Sequence, residues 1–218
     1  MVAVGHAMGG DVGDARARVG VDQGDDADSV ESLVERARGG DNAAFTALFE
    51  RFNARICAYL THLLGDDELG RDLAQETFLA AWRALPGLRG ELRFTPWLYR
   101  IATNAARSYL RRLRVVRWLP WADAADDDSP LHPSAPGPDA HAGESELVAH
   151  ALLALAPQCR TCLLLQVEAG FSQREIAELL GIGEKSVSAY VSRGREQFRR
   201  AYRAASAPEA PDAERAAP

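Results

Sequence analysis

Arg100, Asn104, Arg107, Arg111 and Arg114 recur three and four residues apart. At about 100° per residue they fall on one side of any helix that holds them. Leu98, Ile101, Ala102, Ala105, Tyr109 and Leu113 fall on the other. Guanidinium groups spaced along a helix axis can contact successive phosphates, and the counterions they displace make such binding salt-dependent. A charged stripe is also the ordinary solvated face of an amphipathic helix, but such faces usually mix signs, and this one contains no acid. Just upstream, Leu88-Arg89-Gly90-Glu91-Leu92-Arg93-Phe94-Thr95-Pro96-Trp97 interleaves arginines with aromatic rings, the combination on which unpaired bases stack. A place in a core is the competing use of Phe94 and, more strongly, of Trp97.

A second candidate lies near the C-terminus. Ser172 and Glu175 form the Ser-x-x-Glu capping box at the head of a short helix carrying Ile176, Leu179 and Leu180, which Gly181 terminates. After Gly181-Ile182-Gly183 a final helix turns Val187, Val191 and Phe198 inward. Short helix, glycine turn and longer helix is the pattern of a helix-turn-helix. It places Glu184, Lys185, Ser186, Ser188, Ala189, Ser192, Arg193 and Arg195 outward, the first of them nearest base edges. The basic finish at Arg193, Arg195, Arg199, Arg200 and Arg203 favours duplex DNA over a protein-packing role, because phosphates flank a helix lodged in a groove. Gly194 inside that helix costs about 1 kcal/mol against alanine, and the sequence alone gives no reason for it.

The elements that carry these residues are helical. Asp41 caps a predicted helix whose apolar positions run from Phe45 to Leu63, until Gly65 stops it. Asp66 or Asp67 caps the next, through Leu69, Leu73, Phe78, Ala81, Trp82 and Leu85 to Pro86. Thr95-Pro96 reads as an N-cap followed by proline, opening a third long helix to about Arg117. A short helix near Val30 to Arg38 packs against them. Further on, Leu147, Val148, Ala151, Leu152 and Leu155 make one apolar stripe, and Pro157 starts a helix ending at Gly170. Between the two groups, Pro130, Pro133, Pro136 and Pro138 stand among aspartates and alanines. The predicted fold is all-α, two small helical domains joined by a flexible acidic linker. Residues 1–28 and 204–218 are expected to be disordered tails, 29–117 the first domain, 118–144 the linker and 145–203 the second domain.

Composition sets the outer limits. The 218 residues carry 25 basic and 31 acidic side chains, for a net charge of -6, which on average argues against nucleic acid. Segregation overturns the average: Arg83 to Arg117 holds nine arginines against Glu91 alone, while Trp118 to Ser145 holds six acids and no Lys or Arg. No stretch approaches the roughly 18 apolar residues of a membrane span, and the N-terminus has no signal-peptide pattern, so a cytoplasmic protein without membrane insertion is expected. Cys57, Cys159 and Cys162 cannot form a disulfide framework. Cys159-Arg160-Thr161-Cys162, with His150 near, is half of a usual structural zinc site and reads better as two buried small hydrophobes. No glycine-rich phosphate loop, nucleophile elbow or paired catalytic carboxylate occurs. No enzyme, catalytic residue, metal or cofactor is therefore expected.

Several motifs in order resemble one family. Asp-x-x-Gln-Glu-Thr-Phe-Leu from Asp72 leads to Ala-Trp-Arg-Ala-Leu. Phe-x-x-Trp-Leu-x-x-Ile-Ala-x-Asn from Phe94, a linker, and Gln-Arg-Glu-Ile-Ala-Glu-Leu-Leu-Gly-Ile follow. From about Ser29 to Tyr202 the chain resembles the extracytoplasmic function (ECF) group of bacterial sigma factors. The resemblance implies a non-catalytic initiation factor that binds core RNA polymerase and takes it to promoters. It implies that Asp72, Gln75, Glu76, Phe78 and Leu79 dock on the clamp helices of the beta-prime subunit, with the beta flap as a further contact, although pattern alone reads Asp72, Gln75, Glu76 and Leu79 as a solvated face. It implies that Arg89, Arg93, Phe94, Trp97, Arg100, Asn104, Arg107, Arg111 and Arg112 read and melt the minus-ten element as single strand. Ser172, Lys185, Ser186, Ser188, Ala189, Ser192, Arg193 and Arg195 would then read the minus-thirty-five element as duplex. Family members commonly carry more basic residues where this chain has Ser188, Tyr190 and Ser192. An anti-sigma protein is a common partner in the family. The alternatives are a stand-alone helix-turn-helix regulator that binds an operator without polymerase, and an adaptor that binds only protein.

Overall fold

Local capping chemistry sets where the helices begin in the computed structural model, which describes residues 29–88, 93–113 and 143–206. Ser29 Oγ accepts the Ser32 N–H at the head of α1 (Val30–Arg38). Asp41 accepts from Ala43 and Ala44 ahead of α2 (Asn42–Leu64), and Asp66 from Leu69 ahead of α3 (Asp67–Ala84). Each such cap is worth about 1 kcal/mol over alanine. A 3-10 turn, Leu85–Gly87, follows α3; then come α4 (Phe94–Leu113), α5 (Glu144–Leu153), α6 (Pro157–Val167), α7 (Gln173–Leu180) and α8 (Glu184–Ser206). No strand occurs among the described residues, and the all-α expectation holds.

Three boundaries differ from the sequence reading. Arg93, not Thr95, precedes α4: its carbonyl accepts the Trp97 N–H, so Pro96 sits inside the first turn, where a missing N–H costs nothing. The helix after Pro157 ends at Val167 rather than Gly170, and the chain turns at Gly170 with φ 75°. The last helix runs on to Ser206, past the point where a tail was expected. The tail 1–28, the segment 114–142 and the last twelve residues lie outside the described residues, as do Arg89, Arg114 and Arg117.

In the first bundle α2 is central. Leu48, Phe52, Ile56, Tyr59, Leu60 and Leu63 are buried against α3 and α4. Rings lock the layers edge to face: Phe49 on Phe78 with centroids 4.9 Å apart, Phe45 on Trp82 at 4.8 Å, Tyr59 on Tyr99 at 5.2 Å. In the second bundle α6 runs through the middle, buried on all sides from Gln158 to Leu165. There α8 approaches α6 so closely that a methyl group at Gly194 would stand 3.0 Å from the Cys159 carbonyl oxygen. This close approach is the reason for a glycine in mid-helix.

Sequence suggests two bodies on a string; the structure packs them together, α2 against α5 and α6, and α4 against α7. Arg160, wholly buried on α6, donates to Leu63 O at the end of α2 at 2.9 Å and to Leu153 O and Leu155 O at 2.7 and 3.1 Å. Gly65, at φ 76°, both ends α2 in the left-handed region and leaves room for Leu153, whose Cδ1 would stand 2.7 Å from any methyl group there.

Candidate nucleic-acid and protein interface

Helix α4 has a buried and a cationic side, but the buried side is turned from the arc its spacing predicts: of that arc Leu98 and Ala102 are buried, while Ile101, Ala105 and Tyr109 are only half-buried. Leu98, Tyr99, Ala102, Thr103 and Ala106 are buried, whereas Arg100, Asn104, Arg111 and Arg112 are exposed. Tyr59 and Thr103 hydroxyls share a buried hydrogen bond of 2.8 Å, and Thr103 in turn donates to Tyr99 O. Arg107 is only half-exposed, and its pKa is lowered by burial first and by the neighbouring Arg111 charge second. The exposed cationic side is otherwise free of acid, as expected.

The aromatic expectation needs correction. Phe94 and Trp97 are 3% and 8% exposed, and Phe94 packs on Phe52 with centroids 5.4 Å apart. Rings so placed cannot stack on a base while the bundle is folded; they hold the head of α4 in position instead. Arg93 remains exposed, and its guanidinium pairs with Glu175 of α7.

On α3 the residues at Asp72, Gln75, Glu76 and Leu79 form one exposed strip. Leu79 is 53% exposed, the one large hydrophobic so exposed among the described residues. A single exposed leucine is ordinary on a protein surface; here it stands beside three polar side chains that can hydrogen-bond. Phe78, expected in this contact, is 3% exposed and faces Phe49, so it braces the strip from behind.

In the second bundle the capping box forms in full. Ser172 Oγ accepts the Glu175 N–H, and Glu175 accepts from the Ser172 N–H at 2.9 Å and its hydroxyl at 2.8 Å. Burial works against the Glu175 carboxylate, but the Ser172 donors and then Arg93 hold its pKa below the usual value. The Ser172 hydroxyl is thus engaged in the cap. Gly181 ends α7 at φ 69°, and α8 departs with Val187, Val191 and Phe198 inward. Glu184, Lys185, Ser186, Ser188, Ala189 and Ser192 are exposed; Arg193 and Arg195 are half-exposed, the former with its guanidinium carbon 5.3 Å from the Tyr190 ring centroid.

Cys159 and Cys162 are buried, and burial pushes the Cys162 thiol up to about 12, as suits two small side chains packed in the core. Among the described residues no group of His, Cys, Asp or Glu is arranged to hold a metal, and no helix is long and apolar enough to cross a membrane. Sequence reasoning missed the residues between the bundles: His62 Nδ1 lies 3.0 Å from Glu168 Oε2, and Tyr99 meets Phe171 edge to face at 5.2 Å. The one available signal was Arg160, a lone charge in the otherwise uncharged run of α6.

Residues 48–115 match the model of sigma-70 region 2, and residues 145–198 that of sigma-70 region 4. The RNA polymerase sigma factor NccH of Alcaligenes xylosoxydans xylosoxydans is 34% identical over 77% of this chain and 91% of its own length. CarQ, an RNA polymerase sigma factor of Myxococcus xanthus, is 34% identical over 76% and 93%. The ECF RNA polymerase sigma-E factor of Haemophilus influenzae is 30% identical over 77% and 92%. Among solved structures, CnrH in complex with the cytosolic domain of CnrY matches with TM-score 0.59 at 26% identity, over 82% of this chain and 99% of that one.

Proposed function

The chain belongs to the ECF group of RNA polymerase sigma factors, and from that premise we propose how its parts divide the work. As a member it binds core RNA polymerase and directs promoter recognition and transcription initiation, without being itself a catalyst. The α3 strip of Asp72, Gln75, Glu76 and Leu79 docks on the clamp helices of the beta-prime subunit. The α4 rail holds the melted minus-ten strand, and α8 enters the major groove of the minus-thirty-five duplex.

The observation that carries this division is the acid-free exposed face of α4, set on a bundle whose opposite side is closed by buried rings. Opening needs no reacting group: unstacking is offset by contacts made only with the extruded strand. Since Phe94 and Trp97 are core, those contacts fall to Arg93, Arg100, Asn104, Arg111 and Arg112, with Arg107 contributing from its half-buried place. Arg89 belongs to the same proposed set. The chain works in the cytoplasm, where polymerase and promoter meet. The CnrH complex supports a protein partner for the free chain too, and we read it as an anti-sigma protein.

Purified core polymerase, the chain and genomic fragments test the proposal together. Specific start sites should appear only when both proteins are present. Arg100→Ala and Arg111→Ala should each reduce the salt slope of open-complex formation by about 0.7 to 0.9, without changing the melting temperature. Tight binding to a two-fold symmetric site by the chain alone, with transcription unchanged by its presence, would instead select the stand-alone regulator.

A further inference from the structure

We infer that Tyr190 is a positioning residue for duplex binding: its ring carries the Arg193 guanidinium at the rim of the α8 recognition face, and from there Arg193 meets a backbone phosphate beside the groove. The inference rests on α8 entering duplex as proposed above, and it deepens that reading by giving a role to the flank of the helix as well as to its outward face.

Helical spacing sets the flank. At about 100° per residue, Tyr190, Arg193 and Gln197 lie together between the buried stripe of Val187, Val191 and Phe198 and the exposed Lys185, Ala189 and Ser192. Of the three, Tyr190 is nearest the core and Arg193 nearest the outward face. The flank is fastened to α6 on either side of Arg193. Gln197 accepts the Ala156 N–H at 3.2 Å, at the head of α6. Tyr190 is half-buried and packs against the core. Burial is the first cause of its raised hydroxyl pKa, Arg193 opposes the rise, and Cys162 and Cys159 of α6 add to it. The ring thus lies within reach of both that guanidinium and the buried thiols, on a helix that Gly194 brings close to the Cys159 carbonyl.

The Arg193 guanidinium carbon lies over the Tyr190 ring, 5.3 Å from its centroid, inside the roughly 6 Å within which a ring face attracts a cation. Such a contact uses the charge and leaves N–H donors for the forked hydrogen bonds that phosphate oxygens accept. An arginine on a solvated helix otherwise surrenders much of its rotamer freedom when it reaches a phosphate. A ring fixed by the core restricts that freedom before DNA arrives, so less is lost on binding. Tyr190 itself need touch no base. The rim is also where a phosphate would be: side chains in the middle of the outward face meet base edges, and those at its margin meet the strand backbone. The effect of Arg193 therefore falls on affinity for every duplex alike.

Binding of duplex promoter fragments by the full chain with core polymerase, across a salt series, tests the pair as a double-mutant cycle. Arg193→Ala should lower the salt slope by about 0.9, one phosphate contact, and weaken promoter and unrelated duplex by the same factor. Tyr190→Leu should weaken binding about two- to fivefold when Arg193 is present, and not at all beside Arg193→Ala. Tyr190→Phe, which keeps the ring, should bind as the wild type does. A Tyr190→Leu loss that persists in the Arg193→Ala background, a Tyr190→Phe as weak as Tyr190→Leu, or an unchanged slope for Arg193→Ala would overturn the inference. The same cycle on duplex with the chain alone separates the two readings. If the coupling holds there while core polymerase gains no specific start sites, the proposed function falls and the role of Tyr190 stands. If start sites appear but the two substitutions act additively, only the role of Tyr190 falls; no duplex binding in either condition overturns both.

Discussion

The two bundles reach stability by different means. The first is zipped by rings: Phe45 with Trp82, Phe49 with Phe78, Phe52 with Phe94 and Tyr59 with Tyr99 join α2 to α3 and α4. Each pair contributes about 0.5–1.5 kcal/mol beyond its area, so the load is shared. The second is built around one helix, α6, that is buried on every side and includes Gln158, Arg160 and Thr161. Its cohesion rests on a few positions: a guanidinium serving three carbonyls, and a glycine that admits α8. A shared load lets the outer faces of α3 and α4 carry recognition residues freely; a concentrated one makes Arg160 the residue hardest to replace.

The contrast can be broken first at Arg160. Arg160→Met fills much of the same space but strands carbonyl groups in the core, and should cost about 3–5 kcal/mol, read as an early transition in urea. Gly194 comes next. Gly194→Ala should be near neutral, the helix gaining about 1 kcal/mol and losing as much to the Cys159 carbonyl; Gly194→Val should lose about 2–3 kcal/mol through overpacking. In the first bundle Phe78→Leu keeps an apolar filler while removing one ring pair, so about 1–1.5 kcal/mol is expected, with polymerase affinity reduced only as far as the α3 strip shifts. A melting loss for Phe78→Leu as large as that for Arg160→Met would erase the contrast.

The smallest effect is one of pH. His62 has a raised pKa, mainly because Glu168 accepts its hydrogen bond, with burial opposing and the Glu168 and Asp67 charges assisting. A raised histidine pKa contributes stability that is complete below its ordinary value, near 6.5, and is lost as pH rises through the raised one. Docking should therefore loosen from mildly acid to alkaline buffer, and His62→Gln should flatten the dependence, both followed by scattering.

Much of this was legible in the chain. Asp41, Asp66, Gly65, the Ser172–Glu175 box and Gly181 act as caps and stops because those choices depend on a few neighbouring atoms. Helical spacing made α4 amphipathic but set its buried side only in part: Leu98 and Ala102 face inward as expected, while Tyr99, Thr103 and Ala106 take the places expected of Ile101, Ala105 and Tyr109. Phe78, Phe94 and Trp97 show the limit: motif membership placed them in the contact sites, but whether a ring at a motif position faces a partner or a core depends on the helix across from it, here α2. The use of Gly194 likewise depends on Cys159, thirty-five residues away. Docking of the bundles was illegible for the same reason, since His62 and Glu168 are 106 positions apart and carry no local pattern.

Gly65 gathers two such requirements in a single codon. Its backbone turn is one that asparagine tolerates with modest strain, yet any side chain would strike Leu153 of the other bundle. Asparagine there should leave α2 intact and make the half-buried Leu153 side chain swing aside at modest cost, a cost that Leu153→Ala should remove. Natural drift at this site is thereby coupled to drift at a leucine 88 positions downstream, in a bundle that shares no local pattern with it.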